Sequence, residues 1–264
     1  MTGGNQLALV TGASSGIGYQ LARILTDEGY DVIVVAEDDG IHDAAATLNG
    51  EGREIVALQR DLRLPDAVRD VYESVRRLGR PLEVVTLNAG TGRAGRFVDD
   101  DLQTDLNVVD LNVRSTVHLA KLVLPAMVER GAGKVLFTSS IVAMMPGSYQ
   151  SVYNASKSFV QSFAEALHDE LRDTGVTVTA LMPGPTDTDF FRRTGMLDTP
   201  VGAMPGKDDP AKVARQGYDA LMRGDQKVSA ESVLTKAVSV ASKVLPDSVK
   251  ATANRLISTP TERH

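Results

Sequence analysis

The sequence predicts an α/β fold: a doubly wound, Rossmann-type, mainly parallel seven-stranded sheet with helices on both faces, a single domain over residues 1–264. Three observations carry this. Short β-branched runs recur along the chain, segments of helical period separate them, and a glycine-rich turn follows the first run. The runs are almost continuously apolar, which implies burial on both faces and a parallel sheet with its ligand crevice at the strands' carboxyl ends.

The seven candidate strands, in order, are QLALVTG, DVIVVA, REIVALQRD, LEVVTLNAG, GKVLFTSS, VTVTALMPG and QKVSA. Helical spacing of apolar residues appears at Val68, Val71, Val75 and Leu78. It recurs at Leu106, Val109, Val113, Val117, Ala120 and Leu124, and again at Val152, Phe159, Phe163, Leu167 and Leu171. Two stretches break the rhythm. Gly195 to Pro210, rich in Gly, Pro and Asp, reads as a mobile substrate loop, and residues 231–264 read as a helical C-terminal tail. In that tail Val233, Ala237, Val240 and Val244, then Val249, Leu256 and Ile257, alternate with Lys236, Lys243, Lys250 and Arg255, the pattern of two short amphipathic helices packed on the domain or on a sister subunit. Contact with a membrane surface is the minority reading.

Composition narrows the function classes. The chain has no cysteine, which excludes a disulfide framework and a cysteine nucleophile and suits a reducing compartment, so a cytoplasmic setting is expected. Its formal net charge is −6 and its aromatic share is 5%, a poor basis for binding nucleic acid. The opening MTGGNQ lacks a signal-peptide pattern, and no apolar run approaches the roughly 18 residues of a membrane span, so a soluble, unprocessed protein is expected. No metal site is suggested.

Thr11 to Gly18, TGASSGIG, fits two incompatible motifs. It contains G-x-S-x-G, a hydrolase nucleophile elbow, and G-x-x-x-G-x-G, a phosphate-cradling loop. An elbow normally stands in mid-chain with its acid and histidine following, whereas this serine follows the first strand. His42, His118 and His168 fall in helical segments and His264 is terminal, so no late-loop base exists. The phosphate loop has its strand, its turn at Gly12, close backbone approach at Gly16 and Gly18, and a helix N-terminus near Ser15 whose amides face a pyrophosphate. Ser14 and Ser15 are placed to donate to phosphate or to cap that helix.

Further motifs follow in order: NAG at Asn88 to Gly90, LNV carrying Asn112, SS ending in Ser140, YNASK from Tyr153 to Lys157, and PGPTDT from Pro183 to Thr188. Together with TGASSGIG, they resemble the short-chain dehydrogenase/reductase family over about residues 6 to 190. The resemblance implies an NAD(P)-dependent oxidoreductase acting on alcohols and ketones, with Asn112, Ser140, Tyr153 and Lys157 as its catalytic group. Ser140 would orient the substrate oxygen, Tyr153 exchange its proton, Lys157 grip the nicotinamide ribose, and Asn112 position a relaying water. It also implies cofactor contacts at Gly12, Ser14, Ser15, Gly16, Ile17, Gly18, Asp61, Leu62, Asn88, Ala89, Gly90, Pro183, Gly184, Thr186 and Thr188. Leu87 stands where the family often has a second asparagine.

Tyr153 and Lys157 are one helical turn apart, so their side chains share a face. Bringing a phenol from pH 10 toward neutrality takes about 4 kcal/mol. An ammonium about 4 Å away supplies about that much at an effective dielectric near 20. The expectation is therefore a phenol with a lowered pKa. Glu37 closes the second strand nineteen residues after Gly18, where a dinucleotide fold places the acid that binds the adenine ribose. Asp38 and Asp39 follow, so NAD is favoured over NADP, with Arg60 the candidate cation for a 2′-phosphate. Met144, Met145, Tyr149, Phe190, Phe191, Met196 and Met204 suggest an apolar pocket for a fairly hydrophobic secondary alcohol or ketone. The family commonly assembles through the helices containing Asn112 and Tyr153, which implies a homodimer or homotetramer. A second function class is a non-catalytic dinucleotide-sensing protein on the same fold.

Overall fold

Strands that are apolar at every position have to divide their side chains between two cores, and they do so here. The computed structural model describes residues 5–48, 52–230 and 247–259. Its sheet contains β1 (Leu7–Thr11), β2 (Asp31–Ala36), β3 (Ile55–Gln59), β4 (Leu82–Leu87), β5 (Gly133–Thr138), β6 (Val176–Met182) and β7 (Lys227–Ser229). All neighbours are parallel, in the order β3-β2-β1-β4-β5-β6-β7. On β1, Leu7 and Leu9 enter one core while Ala8 and Val10 enter the other. The first core is closed by α3 (Pro65–Arg77), α5 (Ser115–Arg130) and α6 (Ser151–Glu170), through Val71, Leu119 and Ala164 among others. On the other side lie α1 (Gly16–Asp27), α2 (Gly40–Leu48) and α9 (Pro210–Arg223), through Leu25, Ile41 and Leu221. All seven expected strands form, and the doubly wound topology is the one predicted.

The helices between β4 and β6 depart from the sequence reading in an informative way. The buried face of α4 (Leu102–Val109), of the π turn Asp110–Arg114 and of α5 runs through Asp105, Val108, Asn112, Thr116, Leu119 and Val123. The first part of the apolar stripe expected there is turned outward, with Leu106 42% and Val109 38% exposed, whereas its later members Ala120 and Leu124 are buried. On α6 the buried set is Asn154, Ser156, Lys157, Val160, Gln161 and Ala164, whereas Phe159 is 41% exposed. The expected periodicity is borne out in part: Ala120 and Leu124 are buried in the core and Phe163, Leu167 and Leu171 pack against it, while Val109, Val113 and Val152 turn outward and, with Phe97, line a shallow hollow. The inward faces near the crevice carry polar residues among the apolar ones.

The Gly195–Pro210 segment carries a short helix, α8 (Pro200–Ala203), capped by Thr199, and its Asp208 forms an isolated parallel bridge with Thr186. A further helix, α7 (Phe190–Arg193), precedes it. Of the two tail helices expected, the first falls on residues 231–246, outside the described residues; the second is α10 (Asp247–Ser258), which packs against α8. Among the described residues no helix is long and apolar enough to cross a membrane.

Gly18 shows how tightly the first turn is built. A Cβ there would lie 2.1 Å from the Gly12 carbonyl oxygen and 2.5 Å from Asn88 Nδ2, so α1 meets the end of β1 with no room for a side chain. Gly18→Ala is expected to destabilise the fold by roughly 1–3 kcal/mol, the usual cost of overpacking. Gly79→Ala is the control: its φ is +62° but a Cβ meets nothing within 4 Å. Thermal unfolding of both variants checks this, and a Gly18→Ala melting temperature no lower than that of Gly79→Ala would contradict it.

Candidate active site

The sheet order places the topological switch between β1 and β4, where connections leave in opposite directions and a crevice opens. A cavity of about 660 Å³ fills it. Its wall runs from the Gly12–Ile17 turn, past Asn88 to Gly90, to Tyr153, Lys157 and the Pro183–Thr188 segment. Gly12 and Gly16 have φ of +67° and +59°, and a Cβ on Gly12 would lie 2.8 Å from Ala89 Cα, so the turn depends on glycine at both. Gly18 is a correction. It does not line the cavity, and its closeness serves the packing of helix on strand rather than approach to a ligand.

Asn88 holds the crevice open. Its Nδ2 donates to the Thr11 and Gly12 carbonyls at 3.1 and 3.3 Å, and its Oδ1 accepts from Thr138 Oγ1 at 3.1 Å. Thr11 Oγ1 in turn accepts from the amides of Asn88 and Ala89 at 2.9 and 3.0 Å. Ser14 and Ser15 also differ from expectation. Ser15 occupies the N-cap position of α1 but makes no side-chain capping bond; its Oγ accepts from Arg193 Nη2 at 3.0 Å, and Ser14 Oγ donates to Asp38 at 2.8 Å.

At the adenine end, the expected acids are joined by a cation that sequence reading overlooked. Arg63 donates through Nη2 to Glu37 at 2.7 Å and through Nε to Asp61 at 2.9 Å. Burial pushes the Asp61 carboxyl up, but the Arg63 hydrogen bonds outweigh it and hold the carboxyl below its ordinary value. Arg60, the expected candidate for a 2′-phosphate, lines the cavity yet pairs with Asp70 at 3.6 Å. The one available signal for Arg63 was its position two residues after an acid at a strand end. Leu62 is buried beside it.

Ser140, Tyr153 and Lys157 line the same cavity, and their electrostatics differ from expectation. Ser140 follows β5 as the N-cap of a 3-10 turn, Ile141–Met144; its hydroxyl donates to the Pro183 carbonyl at 3.4 Å and stands near enough to the Tyr153 phenol to lower its pKa. Lys157, 5% exposed, donates from Nζ to the Thr138 carbonyl at 2.9 Å. Ser139 Oγ donates to the Lys157 carbonyl, fixing that helical turn. Burial pushes the Tyr153 phenol up to about 12, against the smaller lowering effect of Ser140, and pushes the Lys157 ammonium down to about 8. The expectation of a lowered phenol pKa is corrected: desolvation sets the direction for both groups, up for Tyr153 and down for Lys157. Asn112 stands behind the cavity wall in the π turn. Its Oδ1 accepts from the Thr91 amide, while Nδ2 donates to the Thr91 carbonyl and to Ser156 Oγ. A Cβ on Gly90 would sit 3.1 Å from Lys157 Nζ and 3.3 Å from Asn112 Oδ1, so these two groups flank one bare backbone position.

Beyond Tyr153 the lining turns apolar. Tyr153, Met196 and Phe190 close around Gly92, with the Tyr153 and Phe190 rings 5.6 Å apart. Met145, Phe191 and Met204 line the cavity as expected; Met144 and Tyr149 do not. Ile257 of α10 joins them, and Asn254 Nδ2 donates to the Ser148 carbonyl to hold that helix in place. The charged lining residues other than Lys157 gather at the opposite end: Glu37, Asp38, Asp61, Arg60, Arg63 and Arg193. An elongated, phosphate-bearing ligand with an aromatic base fits these residues, since the glycine turn leaves backbone bare at one end and the polar rim supplies ribose partners.

Residues 6–196 match the family described as short chain dehydrogenase. The chain is 33% identical over 186 residues to a short chain dehydrogenase of Pseudocercospora fijiensis, covering 69% of this chain and 60% of that one. It is 35% identical over 188 residues to an uncharacterized short-chain type dehydrogenase/reductase of Sinorhizobium fredii, covering 71% and 72%. Among solved structures it is similar to a short-chain dehydrogenase from Sphingobium yanoikuyae in complex with NADPH, with a TM-score of 0.80, 28% identity, and 91% of this chain and 96% of that one covered. With its glycine turn, its switch-point crevice and its Ser140, Tyr153 and Lys157 in register, the chain belongs to the short-chain dehydrogenase/reductase family of nicotinamide-dependent oxidoreductases.

Proposed function

We propose that this protein interconverts a fairly hydrophobic secondary alcohol and its ketone, with Tyr153 as general acid/base. The observation that supports it most is the position of Ser140, Tyr153 and Lys157 at the junction between the polar and apolar parts of one cavity. A bound nicotinamide dinucleotide supplies or accepts the hydride. The chain's own part is to hold and move a proton. Ser140 hydrogen-bonds the substrate oxygen, the Tyr153 phenol donates its proton to that oxygen in reduction and recovers it in oxidation, and the Lys157 ammonium holds ribose hydroxyls beside the phenol. Asn112 braces the floor of the site and positions the water that returns the proton. Gly12, Ser14, Ser15, Gly16 and Ile17 receive the phosphates, Asp61 to Leu62 and Asn88 to Gly90 the adenosine half, and Pro183, Gly184, Thr186 and Thr188 the nicotinamide amide.

NAD is the proposed cofactor. Glu37 and Asp38 present carboxylates where a 2′-phosphate would arrive, and Arg63 is already held between Glu37 and Asp61. The Sphingobium relative is in complex with NADPH, and here Arg63 is the group that would serve such a phosphate once freed. The outward apolar faces of α4 and α6 support a homodimer or homotetramer built on them, readable by light scattering. The lack of cysteine supports a cytoplasmic setting. Dinucleotide sensing without turnover is the competing reading, and the complete Ser140, Tyr153 and Lys157 set favours catalysis.

Tyr153→Phe is expected to lower ketone reduction by roughly a hundredfold to ten-thousandfold while dinucleotide binding by titration is kept; an active variant would refute the assignment. Because burial keeps the phenol protonated far above neutrality, it serves as an acid across the physiological range. Reduction should then hold steady below about pH 8 and fall above it as Lys157 loses its charge. A pH–rate profile without a limb near that value would contradict this. Initial rates should favour NADH over NADPH, and Glu37→Ser, which removes a carboxylate from the 2′-phosphate position and frees Arg63 Nη2 while Asp61 still holds its Nε, should shift the ratio toward NADPH by roughly tenfold. A strong NADPH preference in the unaltered protein would overturn the cofactor assignment.

A further inference from the structure

Arg193 connects two parts of the chain that lie 178 residues apart. It ends α7, the short helix that begins the substrate side of the cavity, and its guanidinium reaches back across the cavity mouth to the glycine turn. Nη2 donates to Ser15 Oγ at 3.0 Å, and Nη1 lies 3.9 Å from Asp38 Oδ2. The backbone behind it is anchored. Phe191 and Met196 on either side of it are 8% and 1% exposed, and the Met196 amide donates to the Phe191 carbonyl at 2.8 Å. Its neighbour Arg192, by contrast, turns to solvent and pairs with Asp189 at 3.0 Å.

Ser15 is the N-cap of α1 and spends its hydroxyl on Arg193 rather than on the helix amides. Two sets of donors therefore meet at one point: the first amides of a twelve-residue helix and a five-donor guanidinium fork that matches phosphate geometry. Asp38 holds the fork only at ion-pair distance. We propose that Arg193 is a clasp for the dinucleotide pyrophosphate, exchanging its contact with Asp38 for phosphate oxygens and thereby tying the substrate-side segment to the bound cofactor. This rests on the reading that the cavity takes a nicotinamide dinucleotide.

Direct titration of the full-length protein with NADH, NADPH and ADP-ribose, which share only the adenosine pyrophosphate and its terminal ribose, tests it without turnover. Arg193→Ala should weaken all three by about tenfold or more, Arg193→Lys should restore part of the loss, and Arg192→Ala should bind like the unaltered protein. Unchanged affinities in Arg193→Ala would overturn the clasp. A loss confined to NADPH would also overturn it, by assigning the guanidinium to the 2′-phosphate instead. If the unaltered protein binds none of the three, the cofactor reading itself falls. Matching melting temperatures for the Arg193 and Arg192 variants without ligand confirm that the comparison is between folded proteins.

Discussion

Everything in the site hangs on the brace at the carboxyl ends of β1 and β4. Thr11 Oγ1 accepts two backbone amides from the far side of the crevice, and the Asn88 side chain returns two hydrogen bonds to the Thr11 and Gly12 carbonyls. A parallel sheet splits at its switch point, and the backbone groups exposed there need partners if they are not to remain unsatisfied. These bonds supply them and set the distance between the glycine turn and the NAG segment. Through Thr138 the same asparagine reaches β5, whose end carries Ser140 and accepts the Lys157 ammonium. The glycine turn, the Asn88–Gly90 segment and the Ser140 and Lys157 region are thus one hydrogen-bonded unit.

Within that unit Lys157 is buried and Tyr153 half-buried, and their electrostatics follow from this. In water, a lysine beside a tyrosine would favour phenolate. Here both groups are desolvated, and each is driven toward its neutral form, the phenol up and the ammonium down. The consequence is a phenol that stays protonated, with the lysine's charge kept close to the point of loss. Asn112 contributes rigidity to this arrangement because all the polar atoms of its side chain are committed to Thr91 and Ser156.

The π turn and the outward faces of α4 and α6 show where pattern reading goes astray. An apolar stripe at helical spacing means that some surface covers it, and the sheet is only one candidate. Where these helices meet the crevice, their inward faces carry Asn112, Asn154, Ser156 and Lys157, and the neighbouring apolar residues Leu106, Val109 and Phe159 are left facing out. Farther along, Ala120, Leu124 and Ala164 face the core in the usual way.

By itself the sequence determined the seven strands, the parallel character of their sheet, the glycine turn after the first of them and a tyrosine and lysine one helical turn apart, because each is written in local spacing: short continuous apolar runs against a period of three to four, and glycines where φ must be positive. What only the tertiary structure decided are the contacts that join distant segments. Arg63 lies 26 residues from Glu37, Arg193 lies 178 from Ser15, and Ile257 enters the cavity from a helix beyond the family match. It also decided the direction of the Tyr153 and Lys157 pKa shifts, since burial depends on everything packed around a group, and spacing along a helix reveals none of that.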